Sequence, residues 1–456
     1  MTAFSSYAIV IGAGISGLAC AYTLRNFGID TLVLESSARP GGVIRSEQRD
    51  GFLFECGPQS FTSTSHLSRV VQELGLAGEL VEAPPRAPRY VLVNGALQPV
   101  PLSPAEFVST SLVGFRTKWC ILSEPLRNTS PPEPDESIAD FTRRKFTAEL
   151  LERLAAPFVS GIYAGDPEKL SLRGAFPTVH EAEKSAGSIV RGMIRNARSK
   201  TQPAHKPKLA SFRGGNEVLV RALAEKLGPD LRTQAEVSQI SRTTEGNFQL
   251  AVQESGSLRA YTANRLVLAT PAGVSARLLQ EILPQACGAL NEIEYAPVAI
   301  VSMGYRREDV GRPLHGFGFL VPRSAGLRTL GTVWNSSLFH SRAPEGQVLL
   351  TSFVGGAADP RAVGLSAGQL TSLVHSELSP LLSIAKPPII ANVTLHRRAI
   401  PQYNLGHSQR VAAIESNRAS CPDLWLLGNF FRGPAIGACI DRALSVAEEL
   451  RISYNS

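Results

Sequence analysis

The stretch Tyr7-Ala8-Ile9-Val10-Ile11-Gly12-Ala13-Gly14-Ile15-Ser16-Gly17 decides the fold. An apolar run entering glycines spaced as GxGxxG predicts a buried strand, a tight turn and a helix start. Glycine is needed because the backbone must turn sharply, approach a pyrophosphate closely and let the helix pack on the sheet. Amides at the helix start would bind the phosphates. We therefore expect residues 12–17 to form a dinucleotide-binding loop.

A second predicted strand, Thr31–Leu34, ends at Glu35. A carboxylate at this position can accept hydrogen bonds from both ribose hydroxyls of an adenine dinucleotide, and it disfavours a 2′-phosphate. The chain continues through Ser36 to Arg39-Pro40-Gly41-Gly42 and then through Gly51-Phe52-Leu53-Phe54-Glu55-Cys56-Gly57-Pro58. The strand, the helix and the acid all fall where this type of site requires them.

The composition is that of a folded protein with a large core. The chain has 456 residues, 43% of them hydrophobic, which is enough for two or three domains. No apolar stretch reaches the roughly eighteen residues of a membrane span. The first strand begins so early that we expect no leader peptide and a cytoplasmic location. The six cysteines and eight histidines lack ligand spacing, so we expect reduced thiols and no metal site.

The net charge of +7 is concentrated between Lys184 and Asn216, where no acidic residue occurs. Its basic residues are Arg191, Arg195, Arg198, Lys200, Lys206, Lys208 and Arg213. Two interpretations stay open: a solvated helix end and linker, or a contact with anionic lipid. Few aromatic residues interleave these charges, so we do not expect nucleic acid as a partner.

The rest of the chain divides by periodicity and turn signals. Asn94-Gly95 predicts a hairpin between residues 86–93 and 96–100. Residues 101–196 have helical patterns, and their many apolar residues between 107 and 122 are either core or the rim of an apolar entrance. Strands at 235–240, 248–252 and 265–271 should return to the first sheet. A second group of strands and one helix follows between 298 and 396. Last come a buried strand from Leu424 and a helix from Ala438.

These motifs, together with Phe158-Val159-Ser160-Gly161-Ile162-Tyr163-Ala164-Gly165-Asp166-Pro167 and Ile400-Pro401-Gln402-Tyr403-Asn404-Leu405-Gly406-His407, resemble the protoporphyrinogen/coproporphyrinogen III oxidase family of the flavin amine oxidase superfamily. The resemblance implies an α/β fold with a discontinuous Rossmann-like FAD-binding domain at 1–85, 209–292 and 400–456. It also implies an antiparallel-sheet substrate-binding domain at 86–103 and 293–399, and an α-helical domain at 104–208 that rests on a membrane surface.

The resemblance also implies the site residues. Those expected at FAD are Gly12, Ala13, Gly14, Ile15, Ser16, Gly17, Glu35, Ser36, Arg39, Gly41, Gly42, Gly57, Pro58, Gln59, Ser60, Val237, Ala435, Ile436 and Gly437. Those expected at the substrate are Arg89, Gly161, Leu320, Val333, Phe353 and Gln59. Arg89 can hold a propionate in a bidentate fork. No proton-transfer residue is nominated, because the cofactor carries the chemistry.

The implied activity is oxidation of protoporphyrinogen IX by non-covalent FAD, in three two-electron steps that reduce O2 to hydrogen peroxide. Three alternatives stay open. The first is coproporphyrinogen III as substrate, the second is an amine oxidase or carotenoid desaturase, and the third is a non-catalytic prenyl-binding escort protein. A peripheral contact with the cytoplasmic membrane face, a homodimer and ferrochelatase as the next enzyme are open partners.

Overall fold

A computed structural model describes residues 4–199 and 207–455 of the protein. Lys200 and Lys206 of the basic stretch lie outside the described residues, so predictions about them stay untested. The strands in chain order are β1 (Phe4–Ile11), β2 (Thr31–Leu34), β3 (Ser46–Arg49), β4 (Phe52–Glu55), β5 (Phe61–Thr62), β6 (Leu80–Glu82), β7 (Arg89–Val93), β8 (Ala96–Pro99), β9 (Leu209–Phe212), β10 (Leu231–Arg232), β11 (Ala235–Arg242), β12 (Phe248–Glu254), β13 (Ser257–Leu268), β14 (Tyr295–Arg306), β15 (Gly318–Leu320), β16 (Thr329–Trp334), β17 (Gln347–Gly355), β18 (Ile390–Pro401) and β19 (Leu424–Leu426).

The helices in chain order are α1 (Ile15–Asn26), α2 (Ser65–Glu73), α3 (Pro104–Ser109), α4 (Phe115–Leu122), α5 (Ile138–Lys145), α6 (Ala148–Leu150), α7 (Ala156–Tyr163), α8 (Leu172–Ala175), α9 (Pro177–Ala186), α10 (Ile189–Ser199), α11 (Glu217–Leu227), α12 (Ala272–Leu278), α13 (Pro284–Asn291), α14 (Asn335–Leu338), α15 (Ala367–Leu382), α16 (His407–Arg418), α17 (Asn429–Arg432) and α18 (Ile436–Asn455). The predicted α/β class is confirmed. Helices α12, α13 and α16 have no counterpart in the sequence-based prediction.

The first sheet has the order β10-β2-β1-β13-β12-β11, and β19 also pairs with β13. Strands β10, β2, β1, β13 and β19 are parallel along their shared lengths. Strand β1 is central, and Ala8, Ile9 and Val10 are fully buried because helices cover both of its faces. Val10 belongs to the cluster with α1, α11 and α18, whereas Ile9 belongs to the cluster with α12 and α13. The predicted return of residues 235–268 to this sheet is confirmed.

The second sheet has the order β18-β14-β17-β16-β15-β7-β8. The predicted antiparallel sheet is observed, with one parallel pair, β7 and β15, that was not predicted. The hairpin β7–β8 comes from a distant part of the chain, so no tight turn dictates its direction beside β15. Helix α15 packs on one face through Leu370, Val374 and Leu378. The predicted substrate residues of this sheet lie on the opposite face, as described below.

The helices between β8 and β9 carry an exposed apolar surface. Phe115, Trp119 and Leu126 are 81%, 64% and 86% exposed, and Leu122 is also exposed. Leu112 and Val113, in contrast, are buried. The apolar residues predicted between 107 and 122 therefore divide between core and surface. None of the helices in the described residues is both long enough and apolar enough to cross a membrane.

Candidate active site

A cavity of about 490 Å³ lies at the carboxyl ends of the parallel strands of the first sheet. This is where open α/β sheets bind nucleotides, because strand ends and helix starts meet there. The start of α1 and the start of α18 both border it. The predicted FAD residues that line it are Gly12, Gly14, Ile15, Ser16, Glu35, Ser36, Gly41, Gly42, Pro58, Val237 and Ile436.

The glycine loop has no room for side chains. A methyl group at Gly17 would lie 1.9 Å from the carbonyl oxygen of Gly12. Gly12 has φ +100°, which favours glycine, and a methyl group there would lie 2.7 Å from the carbonyl oxygen of Ala269. The amide of Gly41 donates to the carbonyl of Ala13 at 2.7 Å. The Arg-x-Gly-Gly turn therefore closes directly onto the glycine loop.

Glu35 is held at the end of β2 by donors from two loops. Its Oε2 accepts from the amide of Ala13 at 2.7 Å, and its Oε1 accepts from the amide and hydroxyl of Ser37 at 2.8 and 2.7 Å. The carboxylate is buried yet lines the cavity. This geometry fits an acid placed to accept from a ribose, and the contact itself stays a prediction.

Other predicted FAD residues lie behind the cavity wall. The Arg39 guanidinium donates to the carbonyls of Pro40, Gly42 and Ile44 at 3.1, 2.8 and 3.2 Å, so it shapes the turn. A methyl group at Gly57 would lie 2.1 Å from the carbonyl oxygen of Val43. The predicted residues that do not line the cavity are Ala13, Gly17, Arg39, Gly57, Gln59, Ser60, Ala435 and Gly437. Their cofactor contacts stay predictions.

The segment from Glu55 to Gln59 is fixed by buried polar groups. The Gln59 amide donates to the carbonyls of Glu55 and Gly57 at 3.0 Å and accepts from Asn335 at 2.7 Å. Glu55 faces the fully buried Arg342 at 3.3 Å. Burial raises the pKa of Glu55 to about 7, and Arg342 opposes that shift. The second sheet is thereby joined to the wall of the cavity.

Several lining residues are absent from the sequence-based prediction. Ala269, Thr270 and Pro271 follow β13, the parallel neighbour of β1, so the topology of the strands could have identified them. Arg398 and Tyr295 come from the second sheet, and no local signal marks them. The Tyr295 hydroxyl accepts from the amide of Ala272 at 3.1 Å.

The predicted substrate residues of the second sheet share one face. Arg89, Gly318 and Val333 pair directly across β7, β15 and β16. One step along, Leu320, Gly331 and Phe353 pair across β15, β16 and β17. Residues paired across strands, and residues two apart on a strand, point to the same face. Arg89, Leu320, Val333 and Phe353 therefore lie together, although they are far apart in sequence.

Helix α7 covers this face at Gly161. A methyl group there would lie 2.6 Å from Cδ2 of Leu320. Arg89 is exposed at the end of its strand, with its guanidinium 5.2 Å from the centre of the Phe317 ring. Phe353 and Ala399 pack against the same apolar cluster, and Ala399 lines the nucleotide cavity. An apolar wall with a cation at its edge thus adjoins the cavity.

The sequence matches the family described as flavin containing amine oxidoreductase over residues 15–450. The chain belongs to this family. It is an oxidoreductase, and its cofactor is FAD. The residues present fit this group, because two helix starts and the carboxylate of Glu35 border one cavity, which is also lined by Gly12, Gly14, Gly41 and Gly42.

Relatives of this flavoprotein match along nearly their whole length. The chloroplastic protoporphyrinogen oxidase of Nicotiana tabacum is 35% identical, with 97% of this chain and 85% of that protein covered. The coproporphyrinogen III oxidase of Bacillus subtilis is 29% identical, with 97% of each covered. A crystal structure of a candidate protoporphyrinogen oxidase from Exiguobacterium is 25% identical, with a TM-score of 0.81 over 99% of this chain and 100% of that one.

Proposed function

We propose that this flavoprotein oxidises a porphyrinogen, with protoporphyrinogen IX as the first candidate substrate. The observation that carries the proposal is the shared face of Arg89, Leu320, Val333 and Phe353 beside the FAD cavity. A porphyrinogen is a large apolar macrocycle with carboxylate side chains. An apolar wall with a guanidinium at its edge complements both parts.

The chain's own residues would bind and orient the substrate. Bound FAD would accept a hydride from a methylene bridge of the macrocycle. Leu320, Val333 and Phe353 would pack on the ring and exclude water, while Arg89 would hold a propionate at the mouth. Orientation and a dry cavity are the two contributions that such a site can make. The predicted division into FAD-binding, substrate-binding and helical domains is part of this proposal.

Coproporphyrinogen III is the second candidate substrate, since relatives of both names resemble this chain. The test is anaerobic mixing of the purified protein with each porphyrinogen while the flavin band near 450 nm (roughly where oxidised flavins absorb) is followed. Bleaching by protoporphyrinogen alone would support the first candidate, and bleaching by coproporphyrinogen alone would support the second. If neither substrate bleaches the flavin, the proposed activity is wrong.

Arg89→Ala separates substrate binding from cofactor binding. The substitution should raise KM by tenfold or more, because a charge-assisted hydrogen bond contributes about 1.5–3 kcal/mol. Bound FAD and kcat should change little. Arg306→Ala is a matched control, because Arg306 is also exposed on the second sheet but lies at the far end of β14. An unchanged KM in the Arg89 variant would remove this residue from the substrate site.

We further propose that the exposed apolar surface of α4 binds a membrane. Phe115, Trp119, Leu122 and Leu126 recur at helical spacing and remain exposed. Helix α10 contacts the turn that contains Leu126, and it adds the exposed Met193 and Ile194. Arg116 and Lys118 lie on α4 itself, where anionic lipid would attract them. Helix α4, the turn after it and α10 thus each present exposed apolar residues, and two cationic residues lie on α4.

Flotation with vesicles of phosphatidylglycerol and phosphatidylcholine tests this contact. The double variant Phe115→Ser/Trp119→Ser should lose at least tenfold in vesicle binding, since each buried large side chain contributes about 1.5–3 kcal/mol. Leu258→Ser is the control, because Leu258 is exposed in a different part of the molecule. Equal flotation of the double variant and the wild type would contradict the proposal.

Other parts of the expected activity belong to the same proposal. Oxygen as acceptor predicts hydrogen peroxide as a product, measurable by a peroxidase-coupled assay. Non-covalent FAD predicts that acid precipitation of the protein releases all of the flavin. A homodimer remains a prediction, which light scattering can test by measuring the mass in solution. Transfer of the product to ferrochelatase also remains a prediction, and a pull-down can test whether the two proteins bind.

A further inference from the structure

The motif Ile400–His407 stands out in the sequence, and the cofactor and substrate contacts above do not account for it. In the structure it runs from the last two residues of β18 to the first residue of α16. Tyr403 and His407 are both almost fully buried, and their rings are stacked with centroids 4.2 Å apart and planes at 7°. Neither residue lines the FAD cavity. Their polar atoms form hydrogen bonds to other parts of the protein.

The stacked pair holds two consecutive carbonyl groups. The Tyr403 hydroxyl donates to the carbonyl of Asn429, and Nε2 of His407 donates to the carbonyl of Phe430 at 2.8 Å. A carbonyl only accepts, so Nε2 carries the proton. Both carbonyls belong to the short helix α17. This helix lies between β19 and α18 in a segment that lines the cavity through Gly428, Asn429 and Pro434.

The other side of the motif is tied to the helices around the substrate wall. Gln402 donates to the carbonyl of Tyr163 at 2.9 Å, two residues beyond Gly161 in α7. The amide of Ser171 donates to the carbonyl of Tyr403, and the amide of Leu405 donates to the carbonyl of Lys169, both at 2.8 Å. Hydrogen bonds to residues 163–171 thus hold the backbone around the pair. Its two side-chain donors contact α17, which lies in the segment that lines the cavity.

We propose that Tyr403 and His407 are positioning residues for the flavin. Their hydrogen bonds keep the carbonyl oxygens of Asn429 and Phe430, which are the negative ends of two peptide dipoles, directed towards the Tyr403–His407 stack. Reduced flavin carries negative charge, which nearby carbonyl oxygens destabilise and the start of α18 stabilises. Releasing either carbonyl should therefore make reduction of the bound flavin less favourable. This inference requires bound FAD only, and it does not depend on which substrate the enzyme oxidises.

The test uses the holoprotein and reduces the flavin with light or dye, without substrate. Tyr403→Phe removes one hydroxyl and keeps the stacked ring. We expect an approximately tenfold shift of the flavin equilibrium towards the oxidised form, which is about 30 mV for a two-electron couple. The circular dichroism of the bound flavin should change as well. Tyr163→Phe is the matched control, because its hydroxyl donates to Ala175 in the same aromatic cluster and does not touch α17.

A second pair of variants keeps the test decisive if Tyr403→Phe is unstable. His407→Phe keeps an aromatic ring and removes the donor, so it should shift the midpoint potential in the same direction. His407→Gln retains an amide donor and should recover part of the shift. The proposal is overturned if the donor-deleting variants keep the wild-type potential and dichroism. It is also overturned if every variant at 403 and 407, His407→Gln included, fails to fold, because the pair would then be purely structural.

Discussion

Replacing Gly161 with alanine tests whether α7 forms a wall of the substrate chamber. The added methyl group would lie 2.6 Å from Cδ2 of Leu320, whereas carbon atoms prefer about 3.5–4.0 Å. Leu320 must therefore move by roughly 1 Å, and it is a flexible side chain on the face shared with Phe353. Overpacking of this kind typically costs about 1–3 kcal/mol. If the bound substrate bears that cost, kcat/KM drops by about 5- to 160-fold.

The assay compares steady-state kinetics on a porphyrinogen with FAD content and Tm. We expect a raised KM, wild-type FAD content and a small change in Tm. Gly288→Ala is the control, because Gly288 is also helical and no atom beyond its chain neighbours and its own helix backbone lies within 4 Å of its added methyl group. Leu320→Ala is the reference for the double variant Gly161→Ala/Leu320→Ala. With the Leu320 side chain truncated, the added methyl group has room, so these two variants should have the same KM. A folded Gly161 variant with wild-type KM, or a double variant whose KM exceeds that of Leu320→Ala, would refute the reasoning.

Three other predictions concern the cofactor loop, a buried charge cluster and pH. Gly17→Ala places a methyl group 1.9 Å from a backbone oxygen and should abolish FAD retention, measured by the absorbance ratio at 280 and 450 nm (roughly where oxidised flavins absorb). The buried amine of Lys145 lies 3.1 and 3.2 Å from the carboxylates of Glu124 and Glu183. Lys145→Met removes this positive charge and should lower the free energy of unfolding in urea by about 3–5 kcal/mol. Burial lowers the pKa of His407 to about 4. The free energy of unfolding should therefore fall by up to about 3 kcal/mol between pH 6.5 and pH 4. In His407→Gln the fall over the same pH range should be much smaller.

Stability depends on pH because the folded and unfolded chains bind a proton at His407 with different affinity. The unfolded chain binds a proton at His407 near its ordinary pKa, whereas the folded chain resists protonation until the pH is lower. Stability is therefore complete above the unfolded pKa and declines as the pH falls towards the folded one. Urea unfolding at several pH values, with the variant as a reference, measures this contribution. Equal slopes in the wild type and His407→Gln would contradict it.

Much of the cofactor site was predictable because its signals are local. The glycine loop, Glu35 and the Arg-x-Gly-Gly turn lie within the first 42 residues, where spacing along the chain determines spacing in the fold. The role of Arg39 in shaping its turn was not predicted, because its guanidinium donates to three backbone carbonyls of that turn. Its cofactor contact stays a prediction.

The sequence by itself determined the buried parallel strand, the helix starts that face the cofactor and the hairpin at Asn94-Gly95, because each depends on residues close in the chain. Only the tertiary structure decided that Arg89 and Val333 flank Gly318, since that arrangement depends on the parallel contact between β7 and β15. It also decided that Tyr403 and His407 support α17. Contacts across hundreds of residues depend on how whole sheets and helices pack, and no local pattern encodes that packing.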